Sequence, residues 1–208
     1  MNTTGRPRKI NDNDSRRKIV DSTVRIIKRD GVKNLTVRNI CAEAGISIGT
    51  FYHFFMDKEN LLMSFIGWLS FGEAELKTPL SDIAGRIIEL YLMLIRWYME
   101  FGRDFVKKFY DPGNLVLSAY IGERDGNFLH DTVMARSEQE LDKALSEGII
   151  TLEDGMTPHR LAADICTIVK GCVFEWCLSD NVDLEEVICR IIRGYMKSVV
   201  KSGQYPSL

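Results

Sequence analysis

Residues 36–55 combine small polar, aromatic and glycine positions at a spacing suited to DNA binding. Two stretches of about two helical turns each flank Gly45-Ile46-Ser47, and this is the outline of a helix-turn-helix. The second stretch must bury one face, which holds Phe51, Phe54 and Phe55 at positions i, i+3 and i+4. The opposite face would meet a partner, and it consists of Ile48, Gly49, Tyr52 and His53.

The first of the two stretches adds a cation to this surface. Its apolar residues share one face and leave Arg38 pointing outward. A guanidinium group presents five donors in a fork that can pair with O6 and N7 of guanine. Ser47 should cap the second helix, so that free N–H groups and the positive end of the dipole would face a phosphate oxygen. Plainer roles stay open: Tyr52 could be partly buried, and Arg38, His53 and Lys58 could be solvated surface residues.

Catalytic and metal-binding patterns are missing from the sequence. It contains no nucleophile elbow, phosphate-binding glycine loop or His-Glu-x-x-His helix. His130 and His159 stand far apart without Cys or carboxylate at metal-ligand spacing, so neither a metal nor a cofactor is expected. The five cysteines are scattered among apolar residues, which favours buried thiols in a reducing compartment over disulfides. The sequence therefore predicts that the protein is not an enzyme.

The elements that position these residues are helices. Helical periodicity recurs along the 208 residues while alternating strand patterns are scarce, so an all-α fold is predicted. The first helix should run from near Asp14 to Gly31, and Asp57 should cap a helix that follows the helix-turn-helix. Further helices are predicted over residues 83–102, 128–148, 157–178 and 183–200.

The charge is divided unevenly along the chain. Residues 1–66 carry a formal charge of plus 5 and residues 67–208 a charge of minus 7, within a total of minus 2. A basic N-terminal part attached to an acidic one suggests that only the first part meets a polyanion. No apolar run is long enough to cross a bilayer, and no signal peptide is evident, so a cytoplasmic protein without a membrane partner is expected.

The segment from Leu35 to Leu61 closely resembles the DNA-binding domain of TetR-type transcriptional regulators. It reads LTVRNICAEAGISIGTFYHFFMDKENL, and the similarity covers about residues 12–70 once the first helix is included. The resemblance implies that the helix beginning at Ser47 enters the major groove of an operator. It also implies phosphate contacts from Thr36, Thr50, Tyr52 and Lys58 and positions near base edges for Arg38 and His53.

One position departs from the family pattern. Ile48 stands where many relatives carry Lys, Arg, Gln or Pro. An aliphatic side chain there can contact a thymine methyl group, which is the apolar feature of the major groove. Residues 1–11 are expected to form a flexible basic arm that either stays disordered or reaches an adjacent minor groove. The boundaries are therefore 1–11 for the arm, 12–70 for the DNA-binding domain with its helix-turn-helix at about 35–54, and 71–208 for a C-terminal domain.

The last two predicted helices are too apolar for a simple surface pair. Each carries an apolar stripe wide enough to pack on the chain's own core and on a partner as well. A two-fold four-helix interface would satisfy both stripes, and the family resemblance also implies such a homodimer. The residues predicted in this dimer interface are Ile165, Val169, Cys172, Trp176, Ile188, Ile192, Tyr195 and Val199.

Aromatic residues are dense in the middle of the chain. Such density is typical of a packed core, but the family resemblance implies that a small-molecule inducer is enclosed in this region. The residues predicted to line its pocket are Phe65, Trp68, Trp97, Phe101, Phe105, Phe128 and Phe174. The inducer should be apolar or amphipathic, and the sequence does not identify it.

These observations predict an all-α protein with an N-terminal three-helix DNA-binding domain and a larger helical domain for ligand binding and dimerisation. The expected function is that of a ligand-responsive repressor that binds a pseudo-palindromic double-stranded operator as a homodimer. The alternative is a helical scaffold or partner-binding protein without sequence-specific DNA binding. Salt-dependent binding to a palindromic duplex would separate the two.

Overall fold

The computed structural model describes residues 12–31, 34–64, 71–110 and 123–202. This part of the chain divides into two units, with the division between residues 64 and 65. The predicted basic arm over residues 1–11 and the predicted pocket residues Phe65 and Trp68 lie outside the described residues.

The N-terminal unit consists of four helices in its described part: α1 (Asp12–Asp30), α2 (Val37–Ala44), α3 (Ile48–Phe54) and α4 (Lys58–Ser64). Its core is formed by apolar side chains contributed from every helix and from the loops between them. Ile19, Ile26, Leu35, Ile40, Phe51, Phe55 and Leu61 are among those that are almost completely buried. Burial of such side chains is the main term that holds a unit of this size together.

In its described part, the C-terminal unit contains helices, one short β-hairpin and one antiparallel pair of strands that are far apart in sequence. Its elements are α5 (Ile83–Phe101), α6 (Arg103–Phe109), β1 (Glu123–Arg124), β2 (Asn127–Phe128), α7 (Val133–Ser146), β3 (Ile150–Leu152), α8 (Pro158–Leu178), α9 (Leu184–Val199) and β4 (Val200–Ser202). Helix α5 packs against α7 and α9, while α8 packs against α6, α7 and α9. The predicted all-α fold is confirmed, with two-stranded antiparallel pairs β1–β2 and β3–β4 as additions.

The helix predicted over residues 128–148 begins later than expected. Phe128 belongs to β2, and Asp131 has a left-handed backbone with φ of +62°, which interrupts a right-handed helix. Thr132 then caps α7 by accepting a hydrogen bond from the Ala135 N–H at 3.2 Å. Similarly, the residues after Val199 form β4, which pairs with β3 across a sequence separation of about fifty residues. Strands of two or three residues are too short to show an alternating pattern of apolar and polar residues in the sequence.

A buried network of charges fixes the segment that precedes α5. The carboxylate of Glu140 on α7 is buried between the guanidinium groups of Arg86 and Arg136. Arg136 also donates to the carbonyls of Gly72 and Ala74, and Arg86 donates to the carbonyl of Thr78 at 2.6 Å. These bonds satisfy backbone acceptors in a stretch that has no regular secondary structure.

Candidate functional site

The helix-turn-helix is built by capping interactions that the local sequence dictates. Thr36 caps α2 by accepting a hydrogen bond from the Asn39 N–H at 3.1 Å, and Ser47 caps α3 by accepting one from the Thr50 N–H at 3.0 Å. Gly45 ends α2 with φ of +65°, a left-handed conformation that glycine adopts without a steric penalty. These three residues fix the direction in which α3 leaves the turn.

The exposed face of α3 carries the residues that the sequence assigned to it. Phe51 is fully buried beneath the helix, while Ile48, Gly49, Tyr52 and His53 are exposed. Tyr52 meets the edge of the Phe51 ring at a centroid distance of 5.5 Å, and 54% of its surface remains accessible. Tyr52 therefore packs partly against the buried Phe51, and more than half of its surface is left for a partner.

Gly49 is not required by the packing of the N-terminal unit. A Cβ atom added there would meet only the Ser47 Oγ at 3.7 Å, which is ordinary van der Waals contact. Glycine inside a helix also costs about 1 kcal/mol relative to alanine. Its presence on the exposed face suits a surface that another molecule must approach closely.

The positively charged side chains near this face differ in whether they form ion pairs with carboxylates of the same unit. On α1, Arg25 and Arg29 both donate hydrogen bonds at 3.1 Å to the carboxylate of Glu43, and these bonds lower the pKa of that carboxyl. Arg38 on α2 is exposed and forms no ion pair within the described residues. Lys58 begins α4, directly after Asp57, whose carboxylate accepts from the Asn60 N–H. Arg38 is thus the guanidinium on this helix pair that keeps its donors for a partner.

The remaining predicted contact residues lie around the same helix pair. Thr36 is exposed at the start of α2, and Thr50 is half-buried with its hydroxyl 2.8 Å from that of Ser47. The structure adds Met56, which follows the buried Phe55 and is 77% exposed. Sequence reasoning passed over Met56 because it lies just beyond the predicted helix, where periodicity gives no assignment of faces.

The aromatic residues of the C-terminal unit do not form the single set that was predicted. Trp97, Phe101 and Phe105 pack together at the end of α5 and the start of α6, with centroid distances of 4.5 Å and 4.8 Å between successive rings. Next to them, Arg103 packs over the Trp176 ring in the last turns of α8. Phe128 instead stacks on His159 in the first turn of α8.

This arrangement corrects the predicted pocket. His159 and Trp176 are separated by about 25 Å along α8, at 1.5 Å of rise per residue. Phe128 therefore lies at the opposite end of that helix from the Trp97 cluster and cannot line the same small pocket. Phe174 is 63% exposed on the outside of α8 and does not face the interior at all.

A group of buried and half-buried polar side chains lies close to the aromatic residues and was missed from the sequence. The hydroxyls of Tyr98 and Tyr110 are hydrogen-bonded at 2.7 Å. The hydroxyl of Tyr91 is buried and forms no hydrogen bond of normal geometry within the described residues, although the Ser137 hydroxyl and the Cys166 thiol lie near enough to affect its pKa. Burial raises the pKa of all three tyrosines, and the nearby thiol of Cys166 adds to this effect. These residues are named the tyrosine cluster: Tyr91, Tyr98, Tyr110 and Cys166.

Tyrosine at helical spacing within an apolar stripe has the sequence pattern of an ordinary core residue. The only signal available beforehand was the number of hydroxyls placed on one face of α5, where Tyr91 and Tyr98 are seven residues apart. Because buried hydroxyls normally find a partner, the Tyr91 oxygen, with Ser137 and Cys166 beside it, is a polar position within an apolar core.

The residues predicted for the dimer interface are mostly core residues of the protomer. Both isoleucines on α9 that were chosen, Ile188 and Ile192, are fully buried within a single chain, and Tyr195 and Val199 are partly covered. On α8 the four chosen residues are also buried: Ile165, Val169, Cys172 and Trp176. A side chain with almost no accessible surface offers little for a second chain to cover, so the choice of these six buried residues is corrected. Tyr195 and Val199 keep accessible surface and stay predictions.

Although the predicted interface residues of α8 are buried, the face of α8 that points away from the protomer core also carries apolar side chains. Phe174 and Leu178 are 63% and 65% exposed, and Gly171 lies on the same stripe. At Gly171 on α8 and Gly194 on α9, an added Cβ would meet no atom of the described residues within 4 Å. Packing within the protomer therefore does not explain either glycine.

The described residues contain neither a cluster of metal ligands nor a membrane-spanning helix. No group of three or more His, Cys, Asp or Glu side chains in the described part of the chain could hold a metal ion. His159 contacts the carboxylates of Glu138 at 3.0 Å and Glu123 at 3.3 Å, which makes it a link between β1, α7 and α8. Among the helices that the structure describes, none is long and apolar enough to span a bilayer.

Comparison with known proteins agrees with this geometry. The family model described as bacterial regulatory proteins of the tetR family matches residues 19–64, which include α2, the Gly45 turn and α3. The chain belongs to the TetR family. It is a DNA-binding transcriptional regulator, and its helix-turn-helix is the part of the molecule that the family model identifies.

Curated relatives of this TetR-family chain include repressors. The chain is 22% identical over 196 residues to the nicotine-responsive transcriptional repressor HdnoR of Paenarthrobacter nicotinovorans, covering 89% of this chain and 96% of that protein. It is 33% identical over 70 residues to the transcriptional repressor KstR of Mycobacterium tuberculosis, covering 34% of this chain and 31% of that protein.

The fold of the whole chain is that of solved TetR-family structures. SmeT, the repressor of the Stenotrophomonas maltophilia multidrug efflux pump SmeDEF, superimposes with a TM-score of 0.58 at 21% identity. The match covers 94% of this chain and 96% of SmeT. Both units of the present structure therefore follow the TetR-family architecture.

Proposed function

We propose that this protein is a ligand-responsive repressor that binds a pseudo-palindromic DNA operator as a homodimer. The observation that carries the proposal is the exposed face of α3, held by the Ser47 cap and the Gly45 turn beside the exposed Arg38. A recognition helix presented in this way fits the major groove. As a regulator of transcription, the protein would act in the cytoplasm, where the chromosome is accessible.

The contact residues divide into two roles by their chemistry. Arg38, Ile48 and His53 carry a donor fork, an alkyl group and a ring that can distinguish base edges. Thr36, Thr50, Tyr52 and Lys58 carry hydroxyls or a point charge suited to phosphate oxygens, and Ser47 and Gly49 shape the approach of the helix. Phosphate contacts position the protein, whereas contacts with base edges select the sequence.

The dimer is proposed to use the outward faces of α8 and α9. On α8 the exposed stripe has helical spacing and ends in two large apolar side chains: Thr167, Gly171, Phe174 and Leu178. On α9 the corresponding surface includes Ile191 and Gly194. The two glycines allow close approach of helix backbones, and a second copy of the chain would cover Phe174 and Leu178. TetR-family regulators act as dimers, which supports this choice of partner.

The effector is proposed to bind at the tyrosine cluster. The phenol groups of Tyr91, Tyr98 and Tyr110 are neutral and can donate hydrogen bonds, and the neighbouring Phe105 and Phe109 are buried aromatic rings. Such a site suits a small amphipathic molecule with an aromatic or alicyclic body and one hydrogen-bonding group. The nicotine-responsive relative HdnoR makes nicotine a reasonable first probe.

The proposal is tested by selecting binding sites from random duplex DNA with the purified full-length chain. A repressor should recover one pseudo-palindromic sequence, and its affinity should fall steeply as the salt concentration rises. Recovery of no preferred duplex would favour the alternative of a helical scaffold. The recovered operator then serves to screen amphipathic compounds for those that release the protein from DNA.

Effector binding is tested separately by thermal shift with wild type and a Tyr91→Phe variant. A compound that binds at the tyrosine cluster should stabilise wild type more than the variant, because the variant lacks the Tyr91 hydroxyl. The same compound should weaken operator binding by roughly 5- to 150-fold, the usual range of allosteric coupling. Equal stabilisation of both proteins would place the effector elsewhere.

A further inference from the structure

The exposed face of α3 carries an apolar ridge where most DNA-reading surfaces are polar. Ile48 is 51% exposed and Tyr52, one helical turn later, is 54% exposed. Ile48 is the first residue of α3, directly after the Ser47 cap, so it stands at the end of the helix that leads into the groove. The fold of the N-terminal unit does not use this isoleucine as a core residue.

The side chains beside Ile48 limit what α3 can recognise. Gly49 has no side chain, and His53 carries a single ring with two nitrogen atoms. Neither they nor Tyr52 can form the paired hydrogen bonds by which Arg, Asn or Gln read a purine. The bidentate donor of this surface is Arg38, which comes from α2 rather than from α3.

An exposed isoleucine in the major groove has one complementary partner. Adenine, guanine and cytosine present hydrogen-bond donors and acceptors there, and covering these with an alkyl group leaves them without water or a partner. Thymine presents a C5-methyl group beside its O4 acceptor. Contact between this methyl and the Ile48 side chain removes apolar surface of both molecules from water.

We infer that each half-site of the operator contains a thymine that is recognised through its C5-methyl group by Ile48. This inference rests on the proposed function, because it assigns a base preference to the DNA surface described above. Ile48 acts as a specificity-determining residue: it selects thymine without a hydrogen bond, while Arg38 supplies hydrogen-bonding recognition from α2.

Replacement of thymidine by deoxyuridine in the operator tests this contact directly, because their bases, thymine and uracil, differ only in the C5-methyl group. In the selected operator, each thymine is replaced in turn, at the same position of both half-sites, and binding is measured. At one position the replacement should weaken binding of wild type by about fourfold per half-site, the effect of one buried methyl-sized group. At that position, the Ile48→Ala variant should bind the thymine and deoxyuridine operators equally.

Two further variants make the result specific. Ile48→Val should keep part of the preference for thymine, because it keeps part of the alkyl surface. His53→Ala should keep the full ratio between the two operators even if overall affinity falls, because His53 is not the residue assigned to the methyl. Thermal unfolding checks that each variant is folded, which is expected because Ile48 and His53 are both exposed.

The outcomes separate the inference from the function on which it rests. Tight, salt-sensitive binding with no position sensitive to deoxyuridine would overturn the role of Ile48 and leave the proposed function intact. The same would follow if Ile48→Ala kept the wild-type ratio. Failure to recover any preferred duplex would overturn the proposed function, and this inference would fall with it.

Discussion

The hydroxyl of Tyr195 on α9 donates a 2.6 Å hydrogen bond to the carboxylate of Asp164 on α8. This bond joins the two helices within one protomer, although the sequence suggested that Tyr195 faces a second chain. Burial, together with the hydrogen bond and charge of Asp164, raises the pKa of Tyr195 to about 12. The tyrosine is therefore held in its neutral form more firmly in the folded chain than in the unfolded one.

The Tyr195–Asp164 pair predicts a loss of stability at alkaline pH. Because the folded pKa lies above the unfolded value of about 10, the stabilisation is fully present below pH 10 and disappears as the pH rises through about 12. Denaturant unfolding between pH 9 and pH 12 should show this component in wild type and lack it in Tyr195→Phe. A variant with the same pH dependence as wild type would contradict the assignment.

The proposed dimer surface predicts different behaviour for exposed and buried residues of the last two helices. Phe174→Glu places a charge on the exposed stripe of α8, so the protein should stay folded, become monomeric and lose operator affinity. Ile188→Glu, the matched control, places a charge in the core of the protomer and should unfold it. Sedimentation and thermal unfolding distinguish these results, and a Phe174→Glu variant that remains a dimer would exclude this surface.

The DNA surface predicts unequal effects of Arg38 and Lys58 on sequence preference. Arg38→Ala should cost about 1 to 3 kcal/mol on the selected operator and relax the preference at one base pair per half-site. Lys58→Ala should weaken binding to all duplexes alike and reduce the salt slope by about 1 per protomer. Titrations at several salt concentrations on selected and scrambled duplexes measure both effects. Equal losses on the two duplexes for Arg38→Ala would make it a phosphate contact.

The buried charge network predicts a large effect of removing Glu140. In Glu140→Ala the guanidinium groups of Arg86 and Arg136 would be left close together without their shared carboxylate, at a cost of about 3 to 5 kcal/mol. Glu140→Gln keeps the shape and an acceptor oxygen, so it should cost less. The free energy of unfolding from denaturant titration measures both. A loss below about 1 kcal/mol in Glu140→Ala would show that solvent replaces the carboxylate readily.

The two glycines of the helix-turn-helix, Gly45 in the turn and Gly49 in α3, should respond in opposite ways to replacement by alanine. Gly45→Ala should destabilise the protein by about 1 to 2 kcal/mol, because φ of +65° is strained for alanine even though no atom obstructs its Cβ. Gly49→Ala should stabilise α3 by about 1 kcal/mol and yet weaken operator binding, because the added methyl faces the DNA. Thermal unfolding and operator titration of both variants test this pair. Unchanged DNA affinity in Gly49→Ala would mean that α3 does not approach the groove closely at this position.

The sequence determined the features that depend on neighbours within a few residues. Caps at Thr36, Ser47 and Asp183 are each made between a side chain and a backbone N–H three residues later, so the sequence pattern contains both partners. The turn at Gly45 and the periodicity of the long helices are local in the same sense. For this reason the helix-turn-helix and its exposed face were predicted residue by residue.

Only the tertiary structure decided what each apolar face packs against. An apolar stripe shows that a helix face is buried but not by which element, so Ile188 and Ile192 were assigned to a partner chain when they belong to the protomer core. For the same reason, the sequence did not show that Phe128 lies apart from Trp97, or that the hydroxyl of Tyr91 is buried in the core. Contacts between residues far apart in sequence depend on the packing of the whole unit, and no local pattern encodes them.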